Sequence, residues 1–295
     1  MKTAPETGLN DWVAAMQRPA AEQALERAFA EDLAAGCDLT SEGIFSDEDE
    51  TSGVVLAKGP GVLAGLLPAR LAFERWGGVK TEPALEEGRA FDTGAELLRV
   101  RGRVREVLRA HRTALNFLSH LSGVAARTKL YVDRLAGTGI PLFYTRKALP
   151  GLRVLEKHAV ALGGAVNHRM GLYDTIKVMD VHVKAAGSLP ECLRRLRLAY
   201  PDRFIEAEVR SRADLESIAD LLGESVDRVW LDNVPFDEAR RLVAEYGSRV
   251  PFGASGGFSP ENIREAATTG VSCVSVGSGL VLEAPPVDMS LRLSR

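Results

Sequence analysis

Between Phe204 and Gly279 one unit recurs four times: an apolar run, one or two polar residues that close it, then a stretch with helical spacing. The runs are FIEAEV (204–209), VWLDN (229–233), VPFGASGG (250–257) and VSVGSG (274–279). Strands that alternate with helices build a parallel sheet, and the alternation over 140–280 predicts one closed as a β/α barrel. The closing residues then stand at the carboxyl ends of the strands, where barrel active sites are built. Carboxylates close the first two runs, Glu208 and Asp232, and glycine-rich loops the next two, Ser255-Gly256-Gly257 and Gly277-Ser278-Gly279.

These residue types point to a chemistry. Carboxylates at strand ends can hold a divalent cation, and magnesium suits one or two carboxylates plus substrate phosphates. Glu206 and Glu208 share one side of their strand, so either can face the barrel interior, where a salt bridge would satisfy it as well as a metal. In SGGFSPENI (255–263) two glycines allow close backbone approach, and a helix predicted to start at Ser259-Pro260 would aim free N–H groups at an anion. Successive late loops of this kind are a common barrel phosphate site. Upstream stand Arg112, Arg146, Lys147, His168 and Arg169. Arg112 is predicted to open a long helix over 112–137, broken near Gly123, where a cation opposes the helix dipole and calls for an anionic partner. Cations, carboxylates and phosphate loops together describe an enzyme for a phosphorylated, strongly anionic substrate.

The remaining sequence narrows the class. At 295 residues the chain accommodates a barrel and a smaller domain, and a net charge of −3 gives no electrostatic case for nucleic acid. Its apolar stretches are shorter than a membrane span, and the polar N-terminus lacks a signal-peptide core. Three well-separated cysteines, Cys37, Cys192 and Cys273, argue against a disulfide framework or zinc site and for a reducing cytoplasm. Residues 1 to about 20 read as a frayed arm, and Leu25, Phe29 and Leu33 mark an amphipathic helix over Ala20 to Ala35. After the acidic loop SDEDETSG (46–53) come strand runs at 54–59 and 61–67, a helix over 68–76 and a strand pair around 96–108, a small α+β region apart from the barrel. Farther on, FYTRK (143–147) reads as a strand entering a loop, 152–162 as a helix, NHRMG (167–171) as a loop and TIKVMDVHV (175–183) as a strand. Helix starts are predicted at Ser188, Ser211 and Pro235.

The motifs in order, RTALNFLSHLSGVA (112–125), TRKALPGLR (145–153), GGAVNHRMGL (163–172), EAEV (206–209), LDN (231–233), SGG (255–257) and SVG (275–277), resemble the type II phosphoribosyltransferases typified by the quinolinate enzymes. EDLAAGCDLTS (31–41) looks like their N-terminal motif, and the resemblance spans roughly 25–292. It implies an α/β fold: an open α/β sandwich over 1–111, joined by the tail 281–295, beside a seven-stranded open β/α barrel over 112–280. It implies transfer of phosphoribose from phosphoribosyl pyrophosphate to quinolinate, with magnesium, in a cytoplasmic homodimer or higher homo-oligomer. By carry-over, Arg112 reaches the neighbouring subunit's site, while Arg146, Lys147, His168 and Arg169 hold the pyridine carboxylates and pyrophosphate. Lys147, Glu208 and Asp232 would be catalytic, with Glu208 and Asp232 at the metal and ribose, and Ser255, Gly256, Gly257 and Gly277 at the 5-phosphate.

Three departures stand out. Tyr144 precedes TRK where the family has an acid, and Leu280 and Val281 stand where a histidine is expected after SVG. In GLYDTIKVMDVH (171–182) Met179 falls on the family's substrate-binding lysine and Val181 on its asparagine, while His182 fits and Lys177 lies two residues earlier on the same face. The acceptor site is thus expected to use Lys177 and Met179. Two alternatives follow: a paralogue, such as the ModD-like branch, acting on another aromatic acid or azaheterocycle, and a catalytically weak homologue that binds a phosphorylated ligand.

Overall fold

The computed structural model describes residues 4, 6–34 and 36–294. The chain divides into two compact units. One comprises 11–129, 148–164 and 280–295. Its strands are β1 (Glu50–Ala57), β2 (Gly61–Val62), β3 (Val79–Pro83), β4 (Ala90–Phe91) and β5 (Glu96–Arg103). An antiparallel sheet runs in the order C-terminal strand Met289–Ser294, β1, β5, β3, and β2 pairs with β4. Side chains alternate as a half-buried sheet requires: Leu98 and Val100 of β5 are buried while Arg99 and Arg101 are exposed.

The helices of this unit correct the reading of the sequence in several places. In place of a frayed arm there are helices at Leu9–Ala15 and Gln17–Leu33; Ala35 and residues 1–3 and 5 of those expectations lie outside the described residues. The expected 68–76 helix is Leu66–Glu74. Where a strand pair is expected around 96–108 there is one strand, which stops at Arg103, and a helix begins at once, Val104–Arg134. Arg112 therefore sits inside that helix and does not open it. Val107, Ala110, Ala114, Leu118, Leu121, Ala125 and Thr128 are buried, the three-and-four spacing of one helix face. The helix also passes unbroken through Gly123. A Cβ there would lie 2.2 Å from the Pro285 carbonyl oxygen, so glycine lets the returning tail cross closely. Ser119 fastens the crossing: its Oγ donates to Val287 O at 2.6 Å, and the Val287 N–H donates to Ser119 O at 3.1 Å.

The second unit comprises 1–10, 130–147 and 165–279. Its strands are β6 (Leu142–Tyr144), β7 (Val166–Asn167), β8 (Ile176–Val178), β9 (Ile205–Val209), β10 (Arg228–Asp232), β11 (Phe252–Ser255) and β12 (Cys273–Val276). They form one seven-stranded parallel sheet in the order β7-β6-β12-β11-β10-β9-β8. β7 and β8 are its two edges, so the curled sheet is open between them; this is the open seven-stranded barrel that the resemblance implies, not the closed one that strand–helix alternation alone predicts. Ile205, Ala207, Val229, Trp230, Phe252 and Val274 are nearly fully buried, as strands covered on both faces must be.

Three local expectations fail here. β7 lies partly in what reads as the loop 167–171; a two-residue strand is too short to show a period. The predicted strand 175–183 ends at Val178, and Asp180–Ala186 is a helix with Met179 as its N-cap residue and His182 in its first turn. The His182 ring nitrogen Nδ1 accepts from the Met179 N–H at 3.0 Å, which makes the histidine a cap. After β11 the helix covers only Ile263–Ala266, preceded by a turn at 260–262, so no long helix starts at Ser259 to present its dipole. Ser188 and Ser211 cap as expected, accepting from Glu191 N–H and Asp214 N–H.

Candidate active site

Parallel register sets the positions of the site residues. Lys177 pairs with Glu206 across β8 and β9, Glu208 with Trp230 across β9 and β10, and Asp232 with Ser255 across β10 and β11. Tyr144, the last residue of β6, pairs with Val276 on one side and Asn167 on the other. Every strand therefore delivers a sequence-predicted residue at or just beyond its carboxyl end. Arg146 and Lys147 follow β6, His168 and Arg169 follow β7, and Gly277 follows β12.

The cations after β6 and β7 are crowded. Burial pushes the Arg169 guanidinium below its ordinary basicity, and the neighbouring Arg146 pushes it further. Arg169 spends one nitrogen on the Thr175 carbonyl at 3.0 Å. Among the described residues, Arg146, Lys147 and Arg169 form no salt bridge, and the buried Arg146 Nε has no hydrogen-bond acceptor. Lys147 lies over Gly277: a Cβ on that glycine would stand 2.7 Å from Lys147 Cδ and 3.0 Å from its Nζ. Asp174, Glu206 and Glu208 act on Arg169 from a distance, yet none closes a salt bridge with it, so the two guanidiniums keep donors for an anion.

The carboxylates have partners. Lys177 Nζ is 2.8 Å from Glu208 Oε1 and 4.6 Å from the centroid of the Trp230 ring. Asp232 accepts from Arg210 Nε at 3.1 Å and from Ser255 Oγ at 3.2 Å. Glu206 is the interior carboxylate. It is fully buried against His168 and Arg228, at 2.9 and 3.1 Å. Burial raises its affinity for a proton, but His168, Lys177 and Arg228 outweigh that and hold it below the usual carboxylate range. Sequence reading left the choice between Glu206 and Glu208 open. It passed over Arg228, whose only signal was a cation beginning an apolar strand.

Two hollows adjoin these groups. One, of about 340 Å³, is lined by Arg169, Tyr173, Lys177, Met179, His182 and Tyr200 among others. It is lined by both members of the Lys177–Met179 pair, and the Lys177 ammonium reaches along the strands to Glu208. The other, of about 190 Å³, is lined by Asn233, Ser255, Gly256, Gly257, Phe258 and Asn262 among others. Gly256 and Gly257 have φ of +93° and +63°, a conformation that admits glycine most readily. Asn233, also left-handed at φ 55°, packs against Gly256, where a Cβ would come within 2.4 Å of its amide. Arg112 belongs to the other unit. It is exposed, without a salt bridge among the described residues, and it borders a cavity of about 430 Å³ with Arg27, Asn116 and His120.

Known proteins resemble this chain in sequence and fold. Residues 38–122 match the model of the quinolinate phosphoribosyl transferase N-terminal domain, and 124–292 that of the C-terminal domain. The nicotinate-nucleotide pyrophosphorylase [carboxylating] of Mycobacterium leprae is 39% identical over 88% of this chain and 92% of its own length. The probable counterpart of Synechocystis is 33% identical over 99% and 97%. The nicotinate-nucleotide pyrophosphorylase structure from Francisella tularensis superposes with a TM-score of 0.86 at 26% identity, covering 94% of this chain and 97% of that one. With both domain models matched in order along one chain, this protein belongs to the quinolinate phosphoribosyltransferase family.

Proposed function

We propose that the protein transfers phosphoribose from phosphoribosyl pyrophosphate to the ring nitrogen of quinolinate, releasing pyrophosphate and carbon dioxide and leaving nicotinate mononucleotide. The observation that carries this reading is the set of cations without a salt-bridge partner among the described residues, Arg146, Lys147 and Arg169, at strand ends of the sheet that also presents Glu208 and Asp232. Quinolinate brings two carboxylates and the donor a pyrophosphate, and together they supply direct anionic partners for these cations.

In this reading the cations, with His168, bind the dicarboxylate and the leaving pyrophosphate. Lys177 approaches the acceptor beside Met179. Ser255, Gly256, Gly257 and Gly277 surround the 5-phosphate through backbone N–H groups. As the bond from the sugar carbon to pyrophosphate breaks, that carbon becomes oxocarbenium-like, and Glu208 and Asp232 stabilise it before the ring nitrogen bonds to it. The carboxylate next to the ring nitrogen then leaves as carbon dioxide, and its electron pair stays on the ring to be protonated. Glu208 and Asp232 are two carboxylates already balanced by Lys177 and Arg210, and the described residues contain no cage of three or more ligands. That donor set suits magnesium carried in on pyrophosphate, where it would neutralise the leaving group. We take the working form to be a cytoplasmic homodimer in which the exposed Arg112 of one copy completes the other's site.

Met179 favours a second reading, a paralogue with a less charged acceptor, because a thioether removes one cation from the hollow that holds Lys177 and Arg169. One assay separates the two. Phosphoribosyl pyrophosphate, magnesium and either quinolinate or other aromatic acids are mixed with the protein, and pyrophosphate release is followed. Release with quinolinate supports the first reading, and release only with another acid supports the second.

A further inference from the structure

Glu206 forms part of a buried chain of charges that runs through the barrel interior. His168 Nε2 stands 2.9 Å from Glu206 Oε1 and 2.8 Å from Oε2. Arg228 Nη1 donates to the same Oε1 at 3.1 Å. On its far side the guanidinium meets Glu6, Nη2 to Oε1 at 2.5 Å and Nη1 to Oε2 at 3.3 Å. Arg228 is also flanked by the rings of Phe143, Phe204 and Trp230, with centroids 5.5, 5.3 and 5.9 Å away. The His168 ring abuts the Trp230 ring edge-on at 5.5 Å.

The same N-terminal segment grips β7, the strand that leads into His168. The Asn10 side chain accepts from the Asn167 N–H at 3.2 Å and from Asn167 Nδ2 at 2.8 Å, and its Nδ2 donates to Ala165 O at 3.4 Å. Glu6 and Asn10 thus hold His168 from two directions, through Arg228 and Glu206 and through β7. A buried charge network adds little stability over a well-packed apolar one, because desolvation offsets its attraction. What it supplies is direction: with Nε2 held by Glu206, Nδ1 is the ring nitrogen left for a further partner.

We infer that Glu206, Arg228 and Glu6 are positioning residues that fix the imidazole of His168 for the anionic substrate and make residues 6–10 a structural support of the site. The inference rests on the reading that His168 touches substrate. It deepens that reading by naming what sets the ring's orientation.

The test uses the full chain and four variants, His168→Ala, Glu206→Gln, Glu6→Gln and the double Glu206→Gln/His168→Ala, with steady-state kinetics for quinolinate and phosphoribosyl pyrophosphate. Glu206→Gln should lower kcat/KM about tenfold or more, the scale of a hydrogen bond to a charged group. Glu6→Gln should lower it less, in the same direction. The double variant should be no worse than His168→Ala alone, because the two residues act through one ring. If Glu206→Gln does not fold, Glu6→Gln and its double with His168→Ala carry the same comparison. Wild-type kinetics in both carboxylate variants, with only the melting temperature lowered, would make the network merely structural and overturn the proposal. So would losses that multiply with that of His168→Ala. A silent His168→Ala would remove both the proposal and the assignment of His168, whereas an impaired His168→Ala beside silent carboxylate variants removes the proposal alone.

Discussion

Lys177 and Glu208 meet at 2.8 Å on the inner face of neighbouring strands, and both side chains are mostly shielded from solvent. The lysine also rests on the Trp230 ring. Removing it leaves the partly buried Glu208 carboxylate without this partner. Lys177→Met should therefore lower kcat/KM for quinolinate by about 10- to 100-fold, corresponding to the roughly 1.5–3 kcal/mol of a charge-assisted hydrogen bond. Steady-state rates on a variant with an unchanged circular dichroism spectrum check this; an unimpaired enzyme would leave the pair a structural ion pair only.

Met179 lines the same hollow as Lys177 and Arg169 but contributes no charge. Quinolinate turnover by the natural chain should accordingly be weak. Met179→Lys should raise kcat/KM by about tenfold through one added charge-assisted contact. An efficient natural enzyme with no gain from lysine would show that Lys177 already meets the need.

Gly256 combines a φ of +93° with a Cβ position 2.4 Å from the Asn233 side chain. Even alanine would be strained and would displace Asn233 from the loop, at a cost of about 1–3 kcal/mol. Gly256→Ala should lower the melting temperature, and Gly256→Asp should in addition abolish calorimetric binding of phosphoribosyl pyrophosphate. Undiminished binding by a folded Gly256→Asp would remove this loop from the phosphate site.

Arg112 is exposed on its own unit and carries no counter-ion among the described residues. If it serves a second copy, mixing two inactive variants, Arg112→Ala and Asp232→Ala, should recover activity through hybrids with one intact site, at most about a quarter of wild type for random C2 pairing. Co-refolded mixtures that stay inactive, beside wild-type controls that recover, would confine Arg112 to its own subunit or to no catalytic part.

The barrel was legible because its strands are buried on both faces and so stand out as apolar runs, each closed by a polar residue. Glu208, Asp232, the Ser255 loop and Gly277 all fell at strand ends for that reason. What escaped the sequence depended on neighbours distant along the chain. Gly123 looks like a helix breaker until Pro285 is seen crossing it, and Arg228 looks misplaced until Glu6 and Glu206 are found on either side. The run 175–183 misled because an apolar strand passes without punctuation into a helix whose cap is Met179, a residue type that gives no capping signal.

The central claim is tested most directly by product analysis with quinolinate and phosphoribosyl pyrophosphate in the presence of magnesium. Nicotinate mononucleotide, pyrophosphate and carbon dioxide should form in equal amounts, and Arg146→Ala and Arg169→Ala should each suppress all three together. Pyrophosphate release with another aromatic acid and none with quinolinate, or formation of nicotinate mononucleotide that survives loss of both arginines, would contradict it.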